Sequence, residues 1–225
     1  MSIAAKDTRG FKLSAIAAVA PSMADRAYNY VVERLSDGTL RGGDAIQESR
    51  LAESLNLSRT PIRDALGRLE GEGLLVRAGR ALTVRTVTIR EFLDMLQVRR
   101  LLEPEAAWLA CGKIKSSVLE TFRDRVTQAP ELPHSINAWA LDEDIHLAVV
   151  DALHNDYLAD LVRNLRRRTR LFELTEFPGK SQSAKTEHLR LIDALLGNDP
   201  EGAKRAMFEH LDGLRTNVIE HLRDL

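Results

Sequence analysis

The chain has 225 residues, 44% of them hydrophobic and 5% aromatic, and a formal net charge of −1. That length suits one small and one medium domain, each with its own core, and the composition suits a helical globular protein. No apolar stretch is long enough to span a bilayer, and a single cysteine, Cys111, excludes an internal disulfide and fits a reducing cytoplasm.

Charge is unevenly divided along the chain. Residues 1–90 carry 14 Lys or Arg against 10 Asp or Glu, and the remainder 18 against 23. A mildly basic front half and an acidic back half fit a DNA reader joined to a domain with another task. The run from Leu13 to Ala20, preceded by Lys6, Arg9 and Lys12, is short and Ala-rich, with Asp7 in its basic flank. It reads as an N-terminal arm over residues 1–22 rather than a targeting signal.

Residues 23–85 then read as a winged helix-turn-helix domain. Leu51, Ala52 and Leu55 form one apolar face, and Ile62, Ala65, Leu66 and Leu69 form another at helical spacing. Between them Asn56 stands where the chain must reverse, and Asn tolerates a left-handed backbone better than any residue but Gly. Ser58 can cap the second helix, and Pro61 falls in its first turn, where a missing N–H costs nothing. Such a pair places the start of its second helix in a DNA major groove. Arg59, Thr60 and Arg63 lie there, off the apolar stripe, where Arg suits guanine acceptors and phosphate. Two short strands, Leu74 to Val76 and Ala81 to Val84, are joined through Arg77-Ala78-Gly79-Arg80, a basic tip suited to a wing. A bare helical hairpin with a solvated basic face is the competing reading; the turn, cap, arginines and wing together outweigh it.

SRTPIRDALGRLEGEGLL, preceded by ESRLAESLNL, resembles the winged helix of GntR-type bacterial transcription regulators over about residues 27–84. The resemblance implies that Arg59, Thr60 and Arg63, with Ser58 beside them, contact DNA, and that Gly79 is the wing-tip glycine between Arg77 and Arg80. Asn56 departs from the usual turn glycine. Ser49 stands where some members carry a base-contacting arginine, which leaves the base read at that position open.

A junction falls at residues 85–88. Thr88 and Glu91 have the spacing of a capping box, so a helix starts there and runs to about Cys111 before Gly112. No strand-like alternation follows. Helices read at about 116–128, 135–153, 156–173, 183–196 and 200–222, with breaks at Pro130 and Pro133, His154-Asn155, Pro178-Gly179 and Gly197-Asn198-Asp199-Pro200. The fold class is therefore mainly α: a winged helix-turn-helix followed by an all-helical antiparallel bundle over residues 86–225.

Asp142 and His146 are four residues apart, on one face of one helix. His188 lies ten residues before Asn198 and His210 twelve after it, so on an antiparallel pair both stand roughly 15–18 Å from the turn. One carboxylate and three imidazoles converging inside a bundle form a plausible site for a divalent transition metal. His134, His154 and His221 have no such partners and read as ordinary packed or surface residues.

LDEDIHLAVVDALHNDYL, followed by KTEHLRLIDALLGNDPEGAKRAMFEHL, resembles the all-helical FCD effector domain of the FadR subfamily, from about Thr88 onward. The resemblance implies a metal at Asp142, His146, His188 and His210, with zinc the first choice and nickel, manganese or iron the alternatives. VRRLLEPEAAWLA resembles the domain's first helix, which implies that Arg99 points toward the effector cavity, where a guanidinium pairs with a carboxylate. Asn155 matches a turn asparagine.

The expectation is a cytoplasmic, ligand-responsive repressor that binds a palindromic double-stranded operator as a homodimer. A metal-assisted pocket would sense a small organic or sugar acid, and no membrane is involved. Two rivals stay open: a regulator whose metal is structural or is itself the signal, and a metal-dependent hydrolase, against which stands the DNA reader in front. Trp108 and Trp139 read as core residues. Arg163, Arg166, Arg167, Arg168 and Arg170 read as a solvated helix face paired with acidic neighbours, although one of these arginines can reach the cavity.

Overall fold

The computed structural model describes residues 21–79, 81–129, 136–176 and 184–223. Most of the expected N-terminal arm, together with Arg80, His134 and the breaks at Pro130, Pro133 and Pro178-Gly179, lies outside the described residues, as do the side chains of Trp139 and His221.

Helix α1 (Met23–Ser36) starts at Ser22, whose hydroxyl accepts from the Asp25 amide while the Asp25 carboxylate accepts from the Ser22 amide. It buries Ala27, Tyr28, Val31 and Leu35, and these meet Ile62, Ala65, Leu66 and Leu69 of α3 (Arg59–Gly71) in the first core. Between α2 (Glu48–Leu55) and α3 the chain reverses at Asn56, which takes the left-handed conformation at φ 51 and ψ 48. The turn inferred from the sequence is therefore present. Ser58 occupies the N-cap position of α3, but its side chain makes no capping bond. Its exposed hydroxyl is left for solvent or a ligand.

The wing forms with its boundaries shifted. Strand β2 spans Leu75–Ala78 and β3 spans Ala81–Val84, paired from Leu75↔Val84 to Ala78↔Ala81. Arg77 is thus part of a strand rather than the tip, and Leu74 leaves the strand for the core, where it is 1% exposed. Gly79 turns the tip at φ 63. A two-residue strand, β1 (Ala45–Ile46), pairs with the other edge of β3 to give the order β1-β3-β2. It is too short to show any alternation in sequence.

Helix α4 (Ile89–Ala110) opens with the expected capping box between Thr88 and Glu91, and Gly112 at φ 73 follows its end. It contains Pro104 within its length. The bundle continues as α5 (Ser116–Gln128), α6 (Ile136–Asp151), α7 (Asp156–Glu176), α8 (Ala184–Leu196) and α9 (Pro200–Arg223). Every inferred helix is present among the described residues, with ends displaced by three residues at most. His154 and Asn198, at φ 51 and 50, make the left-handed turns before α7 and α9, and Asn155 caps α7 by accepting from the Leu158 amide.

Helix α4 packs against α6, α7 and α9, and α8 against α5 and α9, so α4 and α9 form the spine of the bundle. Phe92 stacks on Phe172 with ring centroids 4.5 Å apart. Trp108 is not a core residue as inferred: it is 39% exposed, and its indole N–H donates to Glu201 at 3.1 Å. An indole serves both environments, with an apolar ring on the helix and a polar edge toward water. Helix α7 belongs to both cores, since Val162 and Phe172 lie in the bundle while Leu171 lies in the N-terminal core.

The left-handed residue of the turn gives a direct test. Asn56→Gly is expected to leave urea unfolding unchanged or slightly later, whereas Asn56→Val should lose about 1–2 kcal/mol, the cost of a left-handed backbone for a bulky residue.

Candidate functional site

Four side chains from three helices converge inside the bundle: Asp142 and His146 from α6, His188 from α8 and His210 from α9. Asp142 Oδ1 lies 2.8 Å from His188 Nε2, 3.4 Å from His210 Nε2 and 3.5 Å from His146 Nε2. All four candidate ligand atoms fall within 4.8 Å of one another. The His188 and His210 ring centroids are 4.7 Å apart, so the equal heights inferred from the turn at Asn198 hold.

This set fits a divalent ion. Metal–ligand bonds of about 2.0–2.2 Å place neighbouring ligand atoms roughly 2.9–3.4 Å apart, close to the three Asp142 spacings. His146 is fully buried, yet its Nε2 has no hydrogen-bond partner. Buried polar atoms are nearly always paired, so an orphaned imidazole nitrogen facing a carboxylate is what a ligand position leaves behind. The far side of two rings is anchored. His146 Nδ1 bonds Glu103 of α4, and His210 Nδ1 lies 3.0 Å from Glu187 Oε2 of α8. A carboxylate on Nδ1 fixes the ring so that Nε2 faces the centre.

Two arginines complete the surroundings. Arg99, expected to point toward an effector cavity, is buried and already engaged: Nε donates to Glu103 Oε1 at 2.6 Å and Nη1 to Thr169 Oγ1 at 3.1 Å. Arg166, on α7, donates through Nη2 to Asp142 Oδ2 at 2.5 Å, while its Nε and Nη1 are buried without hydrogen-bond partners. The arginine run of α7 is therefore not a solvated face. Arg163 pairs with Asp151 and Asp160 as inferred, but Arg166 and Arg170 are buried, and Arg167 bonds Tyr28 and Glu72 of the N-terminal domain. A helix packed on two sides leaves little of its circumference to water.

At the opposite end of the molecule's chemistry, Ser58, Arg59, Thr60 and Arg63 are exposed at the start of α3, whose first turn holds no acidic residue. Such a helix terminus favours anions. Arg63 Nε donates to Glu48 Oε2 at 3.0 Å in an exposed pair, of the kind worth little and readily exchanged. Ser49 is exposed on α2, and Arg77 is exposed on β2, 3.3 Å from Glu70.

The family model described as FCD domain matches residues 94–213, and the one described as bacterial regulatory proteins, gntR family, matches residues 23–83. The chain belongs to the GntR family, with an FCD domain behind its DNA reader. This regulator is 28% identical to the Nta operon transcriptional regulator of Aminobacter aminovorans over 81% of this chain and 88% of that one. It is also 28% identical to the Glc operon transcriptional activator of Escherichia coli K12, over 83% of this chain and 85% of that one. Its fold matches the structure of E. coli McbR/YncC with a TM-score of 0.79 at 24% identity, over 89% of this chain and 99% of that one. These families and relatives are DNA-binding transcription regulators, not enzymes.

The centre of this FCD regulator is governed by buried charge. Burial works against the Asp142 carboxylate, but Arg166 and then His146 outweigh it and hold its pKa well below the ordinary value. Burial likewise opposes Glu103, and Arg99, His146 and Arg166 keep it ionised. Burial pushes His188 down despite its bond to Asp142. It pushes His210 the same way, yet the bonds to Asp142 and Glu187 prevail and raise its pKa to about 9. Sequence reasoning missed Glu103, Glu187 and the central role of Arg166. Only Glu103 left a signal, four residues after Arg99 on the same helix.

Replacing Arg166 with Met should lower the stability of the metal-free protein by about 3 kcal/mol or more in urea, because the half-buried Asp142 and the buried Glu103 carboxylates both lose a counter-charge. The pH response has a defined sign. A histidine raised to about 9 contributes stability that is complete below its unfolded pKa of about 6.5 and is lost as pH rises through 9. His188 acts oppositely, costing stability as pH falls below the ordinary histidine value. In chelator, urea midpoints should therefore fall from neutrality toward pH 10, and His210→Gln should flatten that alkaline limb.

Proposed function

We propose that this chain is a metal-dependent sensor of a small organic or sugar acid, within the FadR subfamily, that acts in the cytoplasm as a homodimer on a palindromic operator. The observation that carries the proposal is the buried, partnerless Nε2 of His146, aimed with two further imidazole nitrogens at Asp142 Oδ1. Asp142, His146, His188 and His210 would hold the ion, with zinc the first choice and nickel, manganese or iron compatible with the same mixed donors. A bound ion supplies a Lewis-acid point for one oxygen of a carboxylate.

The protein's own residues do the rest. Glu103 and Glu187 hold the His146 and His210 rings in aim. Arg166 keeps Asp142 ionised and retains two unused donors for a second carboxylate oxygen, and Arg99 stands behind it, fixed by Glu103 and Thr169. Val98, Leu101, Trp108 and Leu109 of α4 and Phe208 of α9 are exposed, which supports pairing of two bundles across that side. Arg59, Thr60 and Arg63, with Ser58 and Ser49 beside them, would read and grip one half-site, with Arg77 and Gly79 of the wing alongside. Ligand would change operator affinity, and in a repressor it would release the protein from DNA. One relative is named an activator, and that opposite sign would appear as tighter rather than weaker binding.

A second reading has its own support. Arg99 and Arg166 already have carboxylate partners, which suits a metal that is structural or is itself the signal.

Operator binding followed by fluorescence anisotropy with a panel of small carboxylates separates these readings. In metal-loaded wild type one acid should change affinity by about fivefold or more, an ordinary coupling strength, and His188→Ala should abolish the change. Arg59→Ala should weaken binding to the operator by about tenfold or more. An affinity that follows metal and ignores every acid establishes the second reading, and an affinity indifferent to both defeats the proposal.

A further inference from the structure

Helix α7 has two working faces. Val162, Arg166 and Thr169 recur at helical spacing and are buried on the bundle side, where Arg166 holds Asp142 and Thr169 accepts from Arg99. Asn164, Arg167 and Leu171 lie on the opposite side by the same periodicity, and all three engage the winged domain. Asn164 Nδ2 donates to the Glu72 carbonyl at 2.9 Å, Arg167 Nη1 donates to Tyr28 Oη at 2.5 Å and lies 3.4 Å from Glu72 Oε2, and Leu171 enters the N-terminal core.

Glu72 is the residue that ends α3, the helix whose other end carries Arg59 and Arg63. A carboxylate at a helix C-terminus is disfavoured by the aligned peptide dipoles. Here it is retained because Arg68, Tyr28 and Arg167 all donate to it, and Asn164 satisfies a carbonyl that the helix itself leaves open. The Arg68 guanidinium also lies 3.9 Å above the Tyr28 ring. Adjacent residues of one rigid helix thus hold the candidate metal centre and the base of the DNA-reading helix.

We infer that Asn164 and Arg167 are positioning residues that carry the state of the Asp142–Arg166 pair to the C-terminal end of α3. The inference builds on the metal-sensor reading. A shift of Arg166 with Asp142 turns or slides α7 as a unit, and the clamp on Glu72 converts that movement into a change at the base of the DNA-reading helix. A narrow crevice lined by Val32, Leu35, Ser36, Leu74, Arg167 and Arg170 lies beside the clamp.

Amide hydrogen exchange on the full chain, read by mass spectrometry with and without zinc, tests this. In wild type, zinc should slow exchange in peptides covering 141–150 and 185–211 and change it about fivefold in peptides covering 66–76, in keeping with ordinary coupling strengths. In the Asn164→Ala, Arg167→Ala double variant the first change should persist and the second should vanish. Glu72→Gln keeps the backbone contact with Asn164, so it should reduce the response only in part; it decides the matter if the double variant does not fold. An undiminished response at 66–76 in these variants overturns the inference, and so does silence there in wild type while the bundle responds. Should zinc leave the bundle peptides unchanged, the metal reading fails separately. Asp142→Asn then supplies the perturbation: changed exchange at 66–76 that requires Asn164 and Arg167 upholds the inference, and unchanged exchange overturns it.

Discussion

A carboxylate enclosed by helices has to be matched by positive charge or hydrogen-bond donors, because an isolated ion there costs several kcal/mol or more. Asp142 meets this constraint through a closed alternation of charge. Arg166 holds Asp142 and faces Glu103, Glu103 binds both Arg99 and His146, and His146 turns back toward Asp142. With His188 and His210 added, the set draws on α4, α6, α7, α8 and α9. None of these helices can move far without exposing a charge to an environment that does not solvate it. The same polar knot therefore sets the register of the bundle and defines the place where an ion and a carboxylate would be recognised.

The DNA reader uses charge in the opposite way. At the start of α3, Arg59 and Arg63 are exposed, and Arg63 sits in a surface pair with Glu48. Exposed pairs contribute little to stability and exchange partners at low cost. Its core instead rests on apolar packing between α1, α3 and the wing. The bundle thus uses enclosed charge to fix geometry, while the start of α3 leaves Arg59 and Arg63 exposed to solvent.

Local signals made most of this legible in the sequence. Capping residues, left-handed turn positions and helical periodicity placed every helix of the bundle among the described residues, because each of these effects acts within a few residues of chain. The candidate metal cluster was legible for a related reason: Asp142 and His146 share one helix face, and the turn at Asn198 sets His188 and His210 level. What escaped depends on contacts between distant segments. Nothing near Glu103 or Glu187 announces that it will hold a histidine 43 or 23 residues away. The arginines of α7 looked like a solvated face because the sequence does not reveal that the helix is covered on two sides. Trp108 was misplaced for the converse reason, since an aromatic residue on an apolar helix is ordinarily buried and this one borders water.

The double allegiance of α7 bears on how such regulators diversify. Linking a DNA reader to an effector bundle looks like joining two independent modules through the short junction at residues 85–88. In this chain, however, Leu171 is part of the reader's own core, and Arg170 donates to the carbonyl of Ser36 at the end of α1. A bundle exchanged at the junction would bring a foreign α7 and leave the reader with an unfilled gap and an unsatisfied carbonyl. Functional chimeras should therefore graft two separate segments, the N-terminal domain and the outward stripe of α7, and lineages that recombine these domains should change both together.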